Sequence, residues 1–247
     1  MADTQWTEVS SPAYMAGNQW VATAGLPAPD GALDPYACAL RAWTTPEPPD
    51  PLNAVVAQRN TQAEFSPAPA GETLTVSGLL FRSSGVGARN FSVFLFAALP
   101  TDDVTDSGYL LGLSAGLPGH ITLARASLEA GLPLVEDDAT GSPPAFPWAY
   151  TGGSVLARST TTVPTEEWVH LQLEVEPDGA DVNLTVWRND LTTNTMHRPV
   201  WEPVPGMDTT VDVGGLVAGG HAGFATQYAA SGVVGAVDHI VLGRSIA

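Results

Sequence analysis

The stretch WVHLQLEVEPDGADVNLTVW, residues 168–187, decides the fold because apolar and polar side chains alternate along both of its halves. The aliphatic positions recur at every second residue, at Val169, Leu171, Leu173 and Val175 and again at Val182, Leu184 and Val186. Pro177-Asp178-Gly179 between the halves has the composition of a tight turn. A period of two is typical of a strand with one buried and one exposed face. The sequence therefore predicts a β-hairpin whose opposite face, with His170 and Gln172, is exposed.

Seven further stretches have strand character, at 73–82, 90–99, 109–114, 120–127, 155–162, 221–228 and 233–244. Glycine-containing turns separate them, and helical periodicity is nearly absent; the best helix candidate is 35–43. Many short strands predict an all-β fold, a two-sheet antiparallel β-sandwich, rather than a parallel α/β sheet. We expect one domain over 61–247, with 1–60 as an N-terminal extension or the first strands of the sandwich.

Charge is the strongest feature of the composition. The 26 acidic residues outnumber nine basic residues, all arginine, and the formal net charge is −17. Such a chain repels phosphate backbones and anionic lipids, so nucleic acid and membrane surfaces are not expected partners. The acidity fits solubility, or a salt-tolerant or high-GC source whose codons favour Arg over Lys; the alternative is a surface that requires cations. The lone Cys38 excludes an intrachain disulfide, and no apolar run reaches the roughly 20 residues of a membrane span.

Four sequence blocks occur in an order that resembles a known superfamily. They are SGLLFR (77–82), GYLLGL (108–113) followed by ITLAR (121–125), WVHLQLEV (168–175), and GF (223–224) with AVDHI (236–240). Together they resemble the concanavalin A-like lectin/glucanase superfamily in its laminin-G-like form. The resemblance covers about residues 70–244 and implies a jelly roll. It implies a binding or structural module more often than an enzyme, although fold alone does not decide function.

A further segment, RPVWEPVPGMD (198–208), resembles jelly-roll domains of phage tail-associated and phage-like particle proteins of high-GC bacteria. The resemblance implies a non-catalytic structural or decorating component of such a particle that binds a glycan or host surface. Its expected partners are copies of itself, particle subunits and a cell-surface glycan. We expect assembly in the cytoplasm and a final location in a virion or extracellular particle, since no signal peptide is visible. The alternatives are a stand-alone carbohydrate-binding lectin-like protein and, third, a divergent glycoside hydrolase.

Clustered acids favour calcium as the cofactor, because calcium takes about six to eight oxygen ligands, often from loops. Three candidate ligands lie close in sequence, Asp102, Asp103 and Asp106. The fourth is Asp238, which the resemblance implies because related jelly rolls often place a calcium-binding Asp in the closing strand. The alternative is a hydrogen-bonded Asp238, or one paired with Arg125 or Arg244, since an unpaired enclosed carboxylate is costly.

Aromatic and acidic residues lie together in the Pro-rich stretch 129–154, which is longer than an ordinary loop. Sugar rings stack on Trp and Tyr while their hydroxyl groups bind polar neighbours. The predicted ligand-binding residues are therefore Trp148, Tyr150, Asp137 and Asp138. The alternative is that the two aromatic residues hold this loop on the sandwich. The roles of Trp187 and Trp201 stay open.

No catalytic residue is predicted. Glu174 and Glu176 point to the same side of one strand, and retaining glycosidases use two carboxyl groups about 5–5.5 Å apart. They share that side with His170 and Gln172, opposite the aliphatic row, which favours a solvated outer face. The five histidines lack zinc-site spacing and are expected to be partly buried residues of the sheets.

Overall fold

The computed structural model describes the backbone of residues 6–10, 18–22, 38–42, 55–65, 72–82, 92–99, 107–113, 119–127, 153–164, 166–215, 220–227 and 234–246. Side chains are described within 72–81, 108–113, 119–125, 155–164, 166–215, 239–241 and 243. Within these ranges every regular element is a strand, and no helix that could cross a membrane occurs among them. The strands are β1 (Trp6–Ser10), β2 (Asn18–Ala22), β3 (Cys38–Ala42), β4 (Val55–Phe65), β5 (Glu72–Arg82), β6 (Ser92–Leu99), β7 (Ser107–Leu113), β8 (Gly119–Ser127), β9 (Gly153–Val163), β10 (Trp168–Asp178), β11 (Asp181–Asn189), β12 (Trp201–Pro203), β13 (Thr210–Asp212), β14 (Gly220–Gln227) and β15 (Val234–Ile246).

Two antiparallel sheets contain these strands. The seven-stranded sheet has the order β1-β4-β14-β6-β7-β8-β9, and the eight-stranded sheet has the order β12-β11-β10-β5-β15-β3-β2, with β13 paired to β11. Neighbours far apart in sequence, such as β10 and β5 or β5 and β15, make the connections cross between sheets. The predicted all-β, two-sheet antiparallel sandwich is confirmed.

The hydrophobic core lies between the two sheets. The predicted aliphatic row of β10 is fully buried there, and β5 and β11 add Leu80, Leu184 and Val186 on the same face. The opposite wall comes from β7 and β8, where Leu111 and Leu123 are fully buried. Each of these side chains leaves water entirely, which stabilises the fold by about 1.5–3 kcal/mol per residue.

The predicted hairpin is confirmed as β10 and β11. Leu173 lies opposite Val186, Val175 lies opposite Leu184, and the pairing runs to the Asp178–Asp181 pair at the turn. Gly179 has a φ of 65°, a left-handed conformation that a residue without Cβ adopts at little cost. The two-residue connection therefore fixes the register that places all apolar positions on one face.

The prediction of an exposed outer face on β10 is wrong at one end of the strand. Trp168 and His170 are buried, and Trp168 packs with Leu79 and Phe81 of β5 in a second cluster on the outer side of the sheet. The segment 190–200, which joins β11 to β12, covers this cluster with Leu191 and Met196. The covering residues come from a segment that follows β11 in the chain, so alternation within β10 alone does not reveal that this face is covered.

The prediction of a helix at 35–43 is also wrong, because β3 occupies Cys38–Ala42. It pairs with β15 on one side and β2 on the other. Backbone hydrogen bonds to two strands outweigh a helix propensity that amounts to a few tenths of a kcal/mol per residue. The predicted strand at 90–99 is confirmed as β6, which lies between β14 and β7 in the seven-stranded sheet. The stretch 129–152 lies outside the described residues.

Candidate functional site

An open pocket of 290 Å³ lies on the outer face of the eight-stranded sheet, bordered by the segment 190–200. We call it the histidine pocket, because three histidines face one another there. Its lining residues are Ser77, His170, Gln172, Met196, His197, Pro199, Trp201, His239 and Val241.

Strand register places most of these residues side by side. His170 of β10 lies opposite Asn189 of β11, which in turn lies opposite Trp201 of β12. One row further along, Gln172 of β10 lies opposite Ser77 of β5. Because side chains at positions two apart share a face, both rows point away from the core.

A β-bulge in β15 completes one wall of the pocket. The register shifts between Asp238 and Val241, where two residues of β15 oppose one residue of β5. His239 has a φ of 48°, a conformation that costs about 1–3 kcal/mol in a residue other than glycine. The bulge allows His239 and Val241 both to line the pocket, while Ile240 packs against the core.

The segment 190–200 is held in place by side-chain hydrogen bonds at both of its ends. The Asp190 carboxylate accepts hydrogen bonds from the backbone N–H and the hydroxyl of Thr192, at 2.9 and 2.7 Å, and these contacts lower the pKa of Asp190. Asn189 binds the far end of the segment: its Nδ2 donates to the Thr195 carbonyl at 3.2 Å and its Oδ1 accepts from the Val200 N–H at 3.0 Å. These hydrogen bonds fix the position of the segment 190–200, which borders the pocket.

His170 is the most unusual group in the pocket. It is 1% exposed, and its Nε2 atom finds no hydrogen-bonding partner among the described residues. Its Nδ1 lies 3.1 Å from Asn189 Nδ2. Burial and the neighbouring His239 lower the pKa of His170 from 6.5 to about 4, so its ring is neutral near pH 7. A buried polar atom without a partner is rare in native proteins and calls for a specific explanation, such as strain, a functional role or a bound water or ion.

Aromatic rings surround His170. The Trp201 ring centroid lies 4.7 Å from that of His170, and His239 lies 6.2 Å from it on another side. The His197 and His239 rings are 5.4 Å apart, edge to face, and burial together with His197 lowers the pKa of His239. The arrangement offers flat, partly exposed ring faces next to hydrogen-bonding groups.

The structure describes few of the residues that the sequence nominates for binding. Seven of them lie outside the described residues: Trp148, Tyr150, Asp137, Asp138, Asp102, Asp103 and Asp106. Asp238 lies in β15 opposite Leu79, and its side chain is not described. In the part of the chain that is described, no three His, Cys, Asp or Glu side chains are grouped to hold a metal ion. The calcium site therefore stays a prediction.

Arg125, considered above as a partner of Asp238, contacts a different carboxylate. Its Nη1 lies 3.3 Å from Asp212 Oδ2, which also accepts a hydrogen bond from the Tyr109 hydroxyl at 2.8 Å. Asp212 belongs to β13 on the eight-stranded sheet, whereas Tyr109 and Arg125 belong to β7 and β8. These contacts tie the two sheets together and serve stability.

Glu174 and Glu176 lie on the outer face of β10, as predicted, and both are partly buried. Glu174 accepts a hydrogen bond from Gln172 Nε2 at 3.1 Å. Neither carboxylate lines the histidine pocket.

Sequence reasoning missed the histidine pocket. His170, His197 and His239 come from β10, the segment 190–200 and β15, so no local spacing connects them. The one available signal was His170 itself, a titratable residue next to an aromatic residue in a strand whose other positions on that face are acidic or amide side chains.

No protein-family model matches this sequence, and a search of curated proteins found no match to it. Three solved structures illustrate what the fold is similar to. The carbohydrate recognition domain of Emp46p in its potassium-bound form is 11% identical, covers 96% of this chain and 88% of that chain, and has a TM-score of 0.47. A lectin from Bauhinia forficata in complex with GalNAc is 7% identical, covers 100% and 95%, and has a TM-score of 0.46. The cellulose-induced protein Cip1 is 13% identical, covers 98% and 93%, and has a TM-score of 0.49. At these identities the similarity concerns the fold alone.

Proposed function

We propose that this protein is a non-catalytic, lectin-like module that binds carbohydrate in the histidine pocket. The observation that carries the proposal is the buried Nε2 atom of His170, which has no partner among the described residues and lies beside the Trp201 ring. A polar group buried in this way is costly unless a bound ligand or water completes its hydrogen bonding.

The chemistry of the pocket matches that of a sugar ring. A pyranose has an apolar face, which packs against an aromatic ring, and hydroxyl groups around its edge, which donate and accept hydrogen bonds. Trp201 and Val241 offer the apolar contact, while Ser77, Gln172 and His170 offer the polar groups. A volume of 290 Å³ lies just below the range for drug-sized ligand pockets, about 300–1,000 Å³, which suits one sugar unit.

The absence of catalysis is part of the proposal. Glycoside hydrolysis uses two carboxyl groups that flank the scissile bond, one of them protonated near neutral pH. No carboxylate belongs to the lining of the pocket as described, and Glu174 is engaged by Gln172. These contacts support binding without bond cleavage.

The finer prediction of a phage or phage-like particle component rests on the sequence segment 198–208 alone. In the structure this segment forms β12 and the turn after it, where the Thr160 N–H of β9 donates to the Pro205 carbonyl at 2.9 Å. This contact joins the edges of the two sheets, and it does not bear on the biological setting of the protein. The particle assignment therefore stays a prediction, to be tested by asking whether the protein copurifies with a larger assembly.

A glycan array probed with and without calcium tests the proposed function. We expect binding that Trp201→Ala weakens about two- to tenfold, since one aromatic contact is worth roughly 0.5–1.5 kcal/mol. Val211→Ala is the control, because Val211 is an exposed residue of β13 outside the pocket. Glycan binding that depends on calcium would show that calcium-ligating residues take part in recognition. Glycan binding that is unchanged in Trp201→Ala would show that the binding site lies outside the histidine pocket. Cleavage of a glycan that Glu174→Gln abolishes would overturn the non-catalytic assignment.

A further inference from the structure

The side-chain amide of Asn189 has a fixed orientation. The Val200 N–H can only donate a hydrogen bond, and the Asn189 atom 3.0 Å from it must therefore be the oxygen Oδ1. The Thr195 carbonyl can only accept, and the atom 3.2 Å from it must be the nitrogen Nδ2. Two independent backbone contacts give the same assignment, so the group that faces His170 is the NH₂ of Asn189.

This orientation determines which nitrogen of His170 carries the proton. A neutral imidazole has one N–H and one lone pair. Because Asn189 Nδ2 donates toward Nδ1 at 3.1 Å, Nδ1 must supply the lone pair, and the proton must lie on Nε2. The low pKa of His170 keeps the ring neutral near pH 7, so the Nε2–H tautomer is the form that prevails there.

We propose that Asn189 is a positioning residue that locks His170 as an Nε2–H donor, so that the histidine pocket selects an uncharged saccharide that offers an acceptor oxygen. The inference that the ligand is a saccharide rests on the proposed function. The inference that Nε2 of His170 is a hydrogen-bond donor rests on the contacts of Asn189. Asn189 is 1% exposed and does not line the pocket, so it acts through His170 and through the segment 190–200.

The Nε2–H tautomer of His170 and the charge of the chain disfavour two other classes of ligand, metal ions and anionic sugars. The three imidazole rings have centroid separations of 5.4 and 6.2 Å but are not grouped to hold a metal ion, and coordination by His170 would in addition require the lone pair that Nε2 lacks in this tautomer. An anionic sugar lacks a partner, because no arginine is part of the described lining and the chain carries a net charge of −17. A hydroxyl or ring oxygen of a neutral sugar can accept the hydrogen bond from Nε2–H, and it needs neither a lone pair on Nε2 nor a cationic partner.

The variant Asn189→Asp tests whether Asn189 sets the tautomer of His170. Asp has nearly the same shape, but its carboxylate only accepts hydrogen bonds, so Nδ1 of His170 must carry a proton, and in the neutral ring Nε2 then holds the lone pair. Because the carboxylate also favours the charged ring, the comparison is made at a pH that keeps His170 neutral in both proteins. Asn183→Asp is the matched control: it places the same charge on the outer face of the same strand, opposite Glu176 and away from His170. The tautomer is read by long-range ¹H–¹⁵N NMR of the folded full-length protein.

Binding is measured on the same samples with three pairs of probes: glucose and glucuronate, galactose and galacturonate, mannose and mannuronate. We expect the Nε2–H tautomer in the wild type and a neutral hexose that shifts the His170 signals with at least about tenfold higher affinity than its uronate. Asn189→Asp should move the proton to Nδ1 and weaken hexose binding about tenfold or more, while Asn183→Asp should change neither.

The outcomes separate the two proposals. An Nδ1–H tautomer in the wild type, or a uronate that binds as tightly as its hexose, overturns the inference and leaves carbohydrate binding standing. An Nε2–H tautomer together with no binding to any glycan on the array confirms that Asn189 sets the tautomer of His170 and overturns the proposed function. If Asn189→Asp fails to fold, the wild-type NMR spectrum still tests the tautomer, and the hexose–uronate comparison still tests the preference for neutral sugars.

Discussion

Acid should destabilise this protein through His170. The ring takes up a proton in the unfolded chain near its ordinary pKa of 6.5, but in the folded protein only near 4. Between these values the unfolded state binds the proton and the folded state does not, so the stabilising contribution is complete above about pH 6.5 and is lost as the pH falls towards 4. His239 changes in the same direction, because its pKa is also lowered.

The magnitude follows from the two pKa values of His170. With 6.5 for the unfolded chain and about 4 for the folded protein, lowering the pH from about 8 to about 5 lowers the free energy of unfolding by about 2 kcal/mol. That value is an upper one, because one side of the pocket is open to solvent, which screens the charged ring.

Urea unfolding of the wild type and of His170→Phe at a series of pH values measures this contribution. The variant keeps an aromatic ring beside Trp201 but cannot titrate at that position, so the difference between the two stability curves cancels the carboxylates and leaves His170 together with its coupling to His239. We expect the wild type to lose up to about 2 kcal/mol more than the variant on going to about pH 5. Parallel curves for the two proteins would refute a neutral, buried His170, and His170→Gln repeats the comparison without a ring.

Three further predictions concern stability, each measured by urea or thermal unfolding. Tyr109→Phe should cost about 1.5–3 kcal/mol because it removes a buried hydrogen bond to the Asp212 carboxylate; an unchanged midpoint would contradict that bond. Gly206→Ala should cost about 1–3 kcal/mol, since Gly206 has a φ of 85° and a Cβ there would lie 2.9 Å from a methyl group of β9. Gly179→Ala, with a similar φ but open space, should cost only about 1 kcal/mol, and equal losses would exclude the close contact. Leu171→Ala should cost about 2–5 kcal/mol, and a loss below about 1 kcal/mol would place this side chain outside the core.

The sequence predicted the sandwich well where the chemistry is local. The aliphatic row Val169 to Val175 and the turn at Gly179 gave the correct hairpin and the correct buried face. The same reasoning failed at 35–43, because β3 depends on β15, which is about 200 residues away in the chain. A pairing of that kind leaves no signal in a short window of sequence.

The candidate site was beyond sequence reasoning for a similar reason. His170 was expected on an exposed face, and its burial depends on the segment 190–200, which Asn189 fastens over the sheet. The proposed tautomer of His170 depends on the same amide. Side chains from β5, β10, β12 and β15 meet there only because those strands are neighbours in the sheet.

The amino-acid sequence by itself determined the class of secondary structure, the buried face of each clearly alternating strand, and the acidic character of the chain. Periodicity and charge are properties of neighbouring residues, and they act before the chain has folded. The tertiary structure alone decided which outer face became covered, which histidines came together, and which nitrogen of His170 was left without a partner. These features depend on strand order and on the return of one connecting segment, both of which arise from contacts between residues remote in the chain.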